Sequence, residues 1–147
     1  MCLAAMDRLT AADAVDVGCG SGLLAQAWAR THRRNVLAVD VDPAAVAQTR
    51  ASVDVAGVSD LVEVCRGAIE ALDGNALTGR VVMANVPAFA HAALLRAIAE
   101  PPAAVVASGL RPADAPAVIA GYRRLGLRCV STQRRSGFEC HLLIGSA

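Results

Sequence analysis

The sequence predicts an α/β fold: a mostly parallel sheet with helices on both faces and an antiparallel strand near the C-terminus. Three observations predict it. Short, nearly continuous apolar runs recur along the chain, as in strands buried on both faces. Helical segments separate these runs, which is the order of parallel βαβ units. The C-terminal segment alternates apolar and polar residues around Ser136-Gly137, which indicates a hairpin.

The first half of the chain alternates helices and strands. Its predicted helices are Leu3 to Leu9, Gly22 to about Thr31, and Pro43 to about Ala56, the last ended by Gly57. Its predicted strands are Ala14 to Val17, Val36 to Val39 and Leu61 to Cys65.

The second half continues the alternation and closes with the hairpin. A short helix from Ile69 to Leu72 precedes the turn pair Asp73-Gly74. The longer predicted helices are Pro87 to about Ala99 and Pro112 to Leu125. The predicted strands are Val81 to Ala84, Ala104 to Ala107, about Arg128 to Arg134, and Phe138 to Ile144. Together with the first half this predicts seven strands.

Length and composition suit a single domain spanning residues 1–147. Hydrophobic residues make up 55% of the chain, enough for a core that needs no disulfides. No apolar run approaches the ~20 residues that cross a bilayer, so we expect no membrane association. The five cysteines are odd in number and form no C-x-x-C pair, which argues against a disulfide framework and a zinc site. We expect a cytoplasmic protein without a metal.

A glycine-rich turn, Asp16-Val17-Gly18-Cys19-Gly20-Ser21-Gly22, follows the first strand. Glycines let the backbone turn tightly and approach a ligand, and the helix that follows directs its free N–H groups toward that position. Asp40 ends the second strand, 18 residues beyond Gly22, where a carboxylate can accept hydrogen bonds from both ribose hydroxyls. Ligands of parallel sheets bind beyond the carboxyl ends of the strands, so this turn predicts a cofactor site.

Three interpretations of the turn are open. A dinucleotide fingerprint needs G-x-G-x-x-G, but its third glycine position holds Leu23. The observed spacing, G-x-G-x-G, favours S-adenosylmethionine. The third interpretation is a tight turn with a helix-capping acid and no ligand.

The turn and the segment Val39-Asp40-Val41-Asp42-Pro43 resemble the first two motifs of class I S-adenosylmethionine-dependent methyltransferases, which implies their Rossmann-like fold. The chain is also similar to the PrmA family, which methylates large-subunit ribosomal protein eleven. This closer resemblance rests on segments that follow the family's order: Met1 to Met6, Val62-Glu63-Val64, Met83-Ala84-Asn85, Ser108-Gly109-Leu110, Tyr122 to Leu127 and Phe138 to Leu143.

The resemblance implies S-adenosylmethionine as the cofactor and assigns roles to residues. Gly18 and Gly20 would face its methionine part, Asp16 would help to bind the ammonium, and Asp40 would hold the ribose. The implied cofactor-binding set also contains Cys19, Gly22, Val41, Gly67, Ala68 and Asn85. Asn85, at the end of the fourth strand, would lie near the transferable methyl and orient an incoming amine, which makes it the expected catalytic residue. Such a transfer needs mainly positioning and desolvation.

The chain departs from the family pattern at three places. Relatives carry Gly-Asp after the third strand, and that acid bonds the adenine; here Gly67-Ala68 stands instead, a loss worth ~1–3 kcal/mol. The segment after Asn85 contains a proline, Val86-Pro87-Ala88. Relatives also have a separate N-terminal substrate-recruiting domain, whereas this chain starts at the helix before the first strand.

These observations favour a methyltransferase that acts on protein amino groups. One alternative is a cofactor-binding module that is non-catalytic or needs a partner; another is a small-molecule or RNA methyltransferase. The acceptor is accordingly expected to be a protein or a small molecule. A net charge of +1 and four aromatic residues argue against nucleic acid.

The remaining candidate residues have structural expectations. His91 is expected at an exposed helix position, with a role at the site as the alternative. Phe89 is expected to line an acceptor pocket or to pack in the core. Expected in structural positions are Trp28 against the sheet, His32 at a helix end, His141 in the last strand, and Cys19 for its small size. The three histidines are too scattered to predict a metal site.

Overall fold

The computed structural model describes residues 1–10, 12–73 and 75–145. The strands in these ranges are β1 (Ala14–Val17), β2 (Val36–Asp40), β3 (Val62–Arg66), β4 (Val81–Asn85), β5 (Ala104–Leu110), β6 (Leu127–Arg135) and β7 (Phe138–Gly145). The α-helices are α1 (Cys2–Met6), α2 (Leu23–His32), α3 (Pro43–Val55), α4 (Ala88–Ala97) and α5 (Ala115–Arg124), and a 3-10 helix covers Ile69–Ala71. The predicted turn Asp73-Gly74 involves Gly74, which lies outside the described residues.

All seven strands form one sheet in the order β3-β2-β1-β4-β5-β7-β6. Every neighbouring pair from β3 to β5 is parallel, and β7 is antiparallel to both of its neighbours. The predicted α/β class with a mostly parallel sheet is confirmed. The strand order reverses beside β1, because β2 and β3 follow on one side and β4 and β5 on the other. This reversal opens a crevice at the carboxyl ends of β1 and β4.

The C-terminal hairpin lies at one edge of the sheet. Strand β7 pairs with both β5 and β6, so β6 is the outermost strand. The physical reason is composition. Cys140, Leu142 and Leu143 are buried on the two faces of β7, whereas β6 carries polar side chains that need solvent.

Two apolar layers cover the sheet. On one face, α1, α2 and α3 pack against strand residues that include Met83, Val106 and Leu142. On the other face, α4 and α5 pack against Val82, Val105 and Leu143 among others. Trp28 is fully buried against the sheet as predicted, and its Nε1 donates to the carbonyl of Ala12 at 2.9 Å. The glycine-rich turn is thereby fixed between a rigid strand and a rigid helix.

Several element boundaries differ from those predicted by one to three residues. Helix α1 ends at Met6 rather than Leu9, and β5 continues through Ser108-Gly109 to Leu110 instead of stopping at that pair. Leu110 is fully buried, which stabilises the extension. None of the described helices has the length and apolar character needed to cross a membrane.

Candidate active site

The glycine-rich turn joins β1 to α2 with three left-handed glycines, Gly18, Gly20 and Gly22. The N–H groups of Gly18 and Cys19 both donate to the carbonyl of Val39, at 2.8 and 3.1 Å, which ties the turn to β2. A Cβ on Gly18 would lie 2.5 Å from Cγ1 of Val86, so no larger residue fits there without movement. A Cβ on Gly20 would meet no protein atom closer than 4.0 Å. The turn therefore leaves open space beside Gly20.

Asp40 is oriented by backbone groups on both of its carboxylate oxygens. Oδ2 accepts from the N–H of Gly20 at 3.0 Å, and Oδ1 accepts from the N–H of Asp42 at 3.0 Å. A carboxylate offers about four lone-pair positions, so further acceptor capacity is left. Asp40 is partly exposed. A hydrogen bond thus joins Asp40 to the glycine-rich turn, while its role toward a ribose stays a prediction.

A cavity of about 370 Å³ opens beside Asp40. Its volume is within the range of small-molecule sites, about 300–1,000 Å³. The lining is mostly apolar, with the carboxylates of Asp40 and Glu70 as its acidic groups. The lining residues are Gly18, Val39, Asp40, Val41, Gly67, Ala68, Ile69, Glu70, Val86, Pro87, Phe89, Ala90 and Ala93. We call this space the first cavity.

The first cavity contains five members of the predicted cofactor-binding set: Gly18, Asp40, Val41, Gly67 and Ala68. Gly67 is held by its N–H, which donates to the carbonyl of Asp40 at 3.0 Å. Val41 is 63% exposed and forms one rim. The structure therefore brings these five residues together, while their contacts with a ligand stay predictions.

Apart from Phe89, the residues that α4 and the 3-10 helix contribute to the first cavity were not predicted. Glu70 follows Ala68 by two residues and places a second carboxylate in the lining. Apolar surface comes from the segment that leads into α4, at Val86 and Pro87, and from Ala90 in its first turn. Their position after the third and fourth strands was the available signal, because those strand ends meet at the same edge of the sheet.

Asp16 lies beneath the turn rather than in the lining of the first cavity. It is 2% exposed, and its Oδ2 accepts from the N–H of Ala25 at 3.0 Å. That N–H is in the first turn of α2, which has no cap from its own Gly22. Burial raises the pKa of Asp16 to about 7. Asp16 thus holds α2 against β1, and its predicted role toward an ammonium group stays a prediction.

Cys19 and Gly22 also belong to the scaffold beneath the first cavity. The hydroxyl of Thr49, on α3, donates to the carbonyl of Gly20 at 3.0 Å and lies 3.3 Å from the Cys19 sulfur. Burial raises the pKa of the Cys19 thiol, which agrees with a small packing residue. A Cβ on Gly22 would lie 2.8 Å from Cγ2 of Thr49. Close packing against α3 therefore explains these two positions.

Asn85 opens onto a different space from the first cavity. It is exposed at the end of β4, pairs with Ser108 on β5, and lines a cavity of about 400 Å³. Residues of the β6–β7 hairpin line the same space, Arg135 and Phe138 among them. We call it the second cavity. Since Val86 lines the first cavity, the end of β4 separates the two.

His91 is not at the exposed helix position that was expected. It is fully buried, its Nε2 donates to the carbonyl of Ser108 at 3.0 Å, and its Nδ1 accepts from the hydroxyl of Tyr122 at 3.0 Å. A carbonyl can only accept, which fixes this assignment of the ring proton. Burial lowers the pKa of His91 and raises that of Tyr122. The neutral pair joins α4 to α5 and β5.

The other candidates have mixed outcomes. Phe89 is 77% exposed at the rim of the first cavity, so packing in the core is wrong for it. His32 is the last residue of α2, as expected, and lies against Trp28 with ring centroids 3.9 Å apart. His141 occupies a buried sheet position and bonds Glu139 and Thr132. Among the described residues, no three His, Cys, Asp or Glu side chains group as metal ligands would.

Comparison with known proteins points to one family. The family model for ribosomal protein L11 methyltransferase (PrmA) matches residues 1–143. The ribosomal protein L11 methyltransferase of Geobacter metallireducens is 34% identical over 146 residues, 97% of this chain and 47% of that protein. The one from Bradyrhizobium diazoefficiens is 38% identical over 88% of this chain and 45% of that protein. The chain spans less than half the length of these relatives.

Solved structures agree on the fold. A ribosomal protein L11 methylase from Lactobacillus delbrueckii subsp. bulgaricus has a TM-score of 0.84 at 18% identity, over 99% of this chain and 77% of that chain. An RNA methyltransferase from Salinibacter ruber, in complex with S-adenosyl-L-homocysteine, has a TM-score of 0.71 at 22% identity, over 99% of this chain and 89% of that one. The fold is that of Rossmann-like class I methyltransferases.

Proposed function

We propose that this chain, which belongs to the ribosomal protein L11 methyltransferase (PrmA) family, forms one methyltransferase domain that binds S-adenosylmethionine and methylates protein amino groups. The observation that carries the proposal is the hydrogen bond from the Gly20 N–H to Asp40 at 3.0 Å, beside a cavity of about 370 Å³. It joins the turn and the acid in one site. The expected cytoplasmic location is part of this proposal.

The residues present fit this cofactor. The open space beside Gly20 admits a ligand close to the backbone, and Asp40 keeps lone pairs for ribose hydroxyls. Val41, Ala68 and the apolar start of α4 offer surface for a flat ring. When bound, S-adenosylmethionine would supply an electrophilic methyl group, which passes to a neutral nucleophile while the sulfonium becomes a neutral thioether.

The acceptor side of the proposal rests on Asn85. Its side-chain oxygen can accept a hydrogen bond from an incoming amine and so hold the nitrogen in position, which is the main requirement of such a transfer. The relatives are named for a ribosomal protein, so we propose ribosomal protein L11 as the first acceptor to test. This assignment is carried from proteins of more than twice the length.

The test is a calorimetric titration of the chain with S-adenosylmethionine, with NAD as the control ligand. We expect saturable binding of the first and none of the second. Asp40→Asn should weaken binding by about 10- to 100-fold, because a hydrogen bond to a charged group contributes about 1.5–3 kcal/mol. Asp54→Asn is the matched control, since Asp54 is exposed on α3 and lies outside the cavity lining. Unchanged affinity in Asp40→Asn would overturn the ribose assignment.

A second candidate function is a cofactor-binding module, which is favoured because Ala68 supplies no carboxylate to the first cavity. In it, the chain binds the cofactor but needs a partner, or does not catalyse at all. The two are separated by transfer of a labelled methyl group from S-adenosylmethionine to ribosomal protein L11. Binding without transfer favours the module, and transfer to a small molecule or RNA alone would replace the protein acceptor.

A further inference from the structure

We propose that the second cavity is the acceptor subsite, and that Arg135 and Phe138 select an amine that carries a carboxylate close by, such as a lysine flanked by acidic residues. This inference deepens the proposed function and rests on it. The cavity has a volume of about 400 Å³, and its lining residues are Met1, Asn85, Ser108, Gly109, Arg135, Ser136 and Phe138.

The register of the sheet brings these side chains to one face. Asn85 pairs with Ser108, Ser108 pairs with Cys140, and Phe138 lies two residues before Cys140 on β7. Arg135 is the cross-strand partner of Phe138. Since side chains alternate along a strand, residues two apart share a face. The hairpin tip therefore stands beside the residue expected to orient the amine.

The hairpin tip is held in place from its other face. Arg134 Nε lies 2.6 Å from Glu139 Oε1, and Glu139 Oε2 lies 2.8 Å from His141 Nε2. His141 Nδ1 in turn lies 3.0 Å from the hydroxyl of Thr132. Glu139 is 3% exposed, whereas the side chain of Arg134 is 74% exposed, so the network runs from a buried carboxylate to the protein surface. The network includes Arg134 in an ion pair, whereas Arg135 lines the second cavity.

Charge gives the subsite its chemical preference. Arg135 is exposed and has no ion-pair partner within residues 1–10, 12–73 and 75–145. No carboxylate lines the second cavity in those ranges either, so the cavity carries an uncompensated positive charge. An amine cation alone would be repelled by Arg135. A carboxylate near the amine removes this repulsion and matches the bidentate geometry of a guanidinium.

Phe138 supplies the apolar part of the recognition. Phe138 is 44% exposed and lines the second cavity, so its ring is accessible to a ligand there. The ring can cover the aliphatic stem of an acceptor such as lysine, and its face attracts the cationic end. Recognition then uses three groups: the Asn85 oxygen for the amine, the Phe138 ring for the stem, and the Arg135 guanidinium for the neighbouring carboxylate.

The experiment compares two lysine peptides that differ only in glutamate or glutamine on both sides of the lysine. Their binding is measured by fluorescence anisotropy in the presence of S-adenosylhomocysteine, after calorimetry has shown whether the protein binds that compound. We expect the wild-type chain to bind the glutamate peptide about two- to fivefold more tightly, as an exposed ion pair provides. Arg135→Gln should abolish the preference, and Phe138→Ala should weaken both peptides equally.

Arg128→Gln is the matched control, since Arg128 is exposed on the same strand and lies outside the cavity lining. It should keep the preference. Equal binding of the two peptides, no binding of either, or a preference that survives Arg135→Gln overturns the inference. Tighter binding of a single-stranded RNA oligonucleotide, lost in Arg135→Gln, would overturn it in favour of a phosphate site. Failure to bind S-adenosylhomocysteine contradicts the proposed function instead.

Discussion

The close approach of Val86 to Gly18 permits a quantitative test of why glycine occupies the turn. Gly18 has φ of +68°, and Gly57, at the end of α3, has φ of +66°. A Cβ at Gly18 would lie 2.5 Å from Val86 Cγ1, whereas a Cβ at Gly57 meets nothing within 4 Å. Alanine therefore imposes the same backbone strain at both positions but a steric clash at Gly18 alone.

The expected magnitudes follow from this difference. A left-handed alanine costs about 1–2 kcal/mol, which is the whole expected effect of Gly57→Ala. Overpacking adds about 1–3 kcal/mol, so Gly18→Ala should lower the free energy of unfolding by about 2–5 kcal/mol. Val86→Ala removes the clashing atom. In that background Gly18→Ala should cost only the backbone strain, again about 1–2 kcal/mol.

The assay is urea unfolding of the four variants of the Gly18–Val86 cycle, with Gly57→Ala beside them. Trp28 is the single tryptophan and is fully buried, so its fluorescence reports the loss of the core. The clash appears as a coupling energy of about 1–3 kcal/mol between Gly18→Ala and Val86→Ala. Equal losses at Gly18 and Gly57, or a coupling energy near zero, would refute the reasoning.

Three further substitutions test separate parts of the site. Ala68→Asp should tighten S-adenosylmethionine binding about tenfold in calorimetry, because it adds a buried acceptor, while Ala71→Asp outside the lining should not. Burial raises the pKa of Asp16 from 3.8 to about 7, so between these values the unfolded chain binds fewer protons than the folded one. Stability should then fall as pH rises through this window, by at most about 1.4 kcal/mol per pH unit, and Asp16→Asn should remove that slope in urea unfolding. Tyr122→Phe leaves Nδ1 of His91 without its donor and should cost about 1–3 kcal/mol in the same assay, whereas a loss within error would show that the bond contributes nothing.

Local patterns were sufficient for most of the fold. The predicted first strand has the observed limits, Ala14–Val17, because Asp13 precedes this mostly apolar run and Gly18 begins the turn after it. The turn after it needed left-handed backbone, and glycine at Gly18, Gly20 and Gly22 is the residue that adopts it without strain. These features depend on residues close in sequence, which is why the sequence alone indicates them.

Features that depend on distant partners were not predictable in the same way. His91 is buried because Ser108 and Tyr122, 17 and 31 residues away, satisfy its ring nitrogens. Strand β5 continues past Ser108, although Gly109 indicates a turn. Glycine is needed at this position because a Cβ there would lie 2.7 Å from a backbone atom of Val86. Neither partner can be inferred from a window around the residue.

The candidate site was predicted as a set of residues but not as an arrangement. The turn and Asp40 were expected together, and their hydrogen bond joins them. The separation of Asn85 from the first cavity was not expected, because sequence order places it next to Val86, which lines that cavity. Because successive side chains alternate between the faces of a strand, Asn85 lines the second cavity and Val86 lines the first.

This alternation has a consequence for the proposed transfer. A methyltransferase must hold two reactants that meet at one atom and otherwise occupy separate volumes. Val86 lines the first cavity and Asn85 the second, so one peptide unit at the carboxyl end of β4 borders both. The carbonyl of Ser108 fixes that unit, since it accepts from the N–H of Val86 at 3.1 Å and from buried His91 at 3.0 Å. Under the proposed function, the His91–Tyr122 pair would position the boundary between cofactor and acceptor through β5, without contacting either.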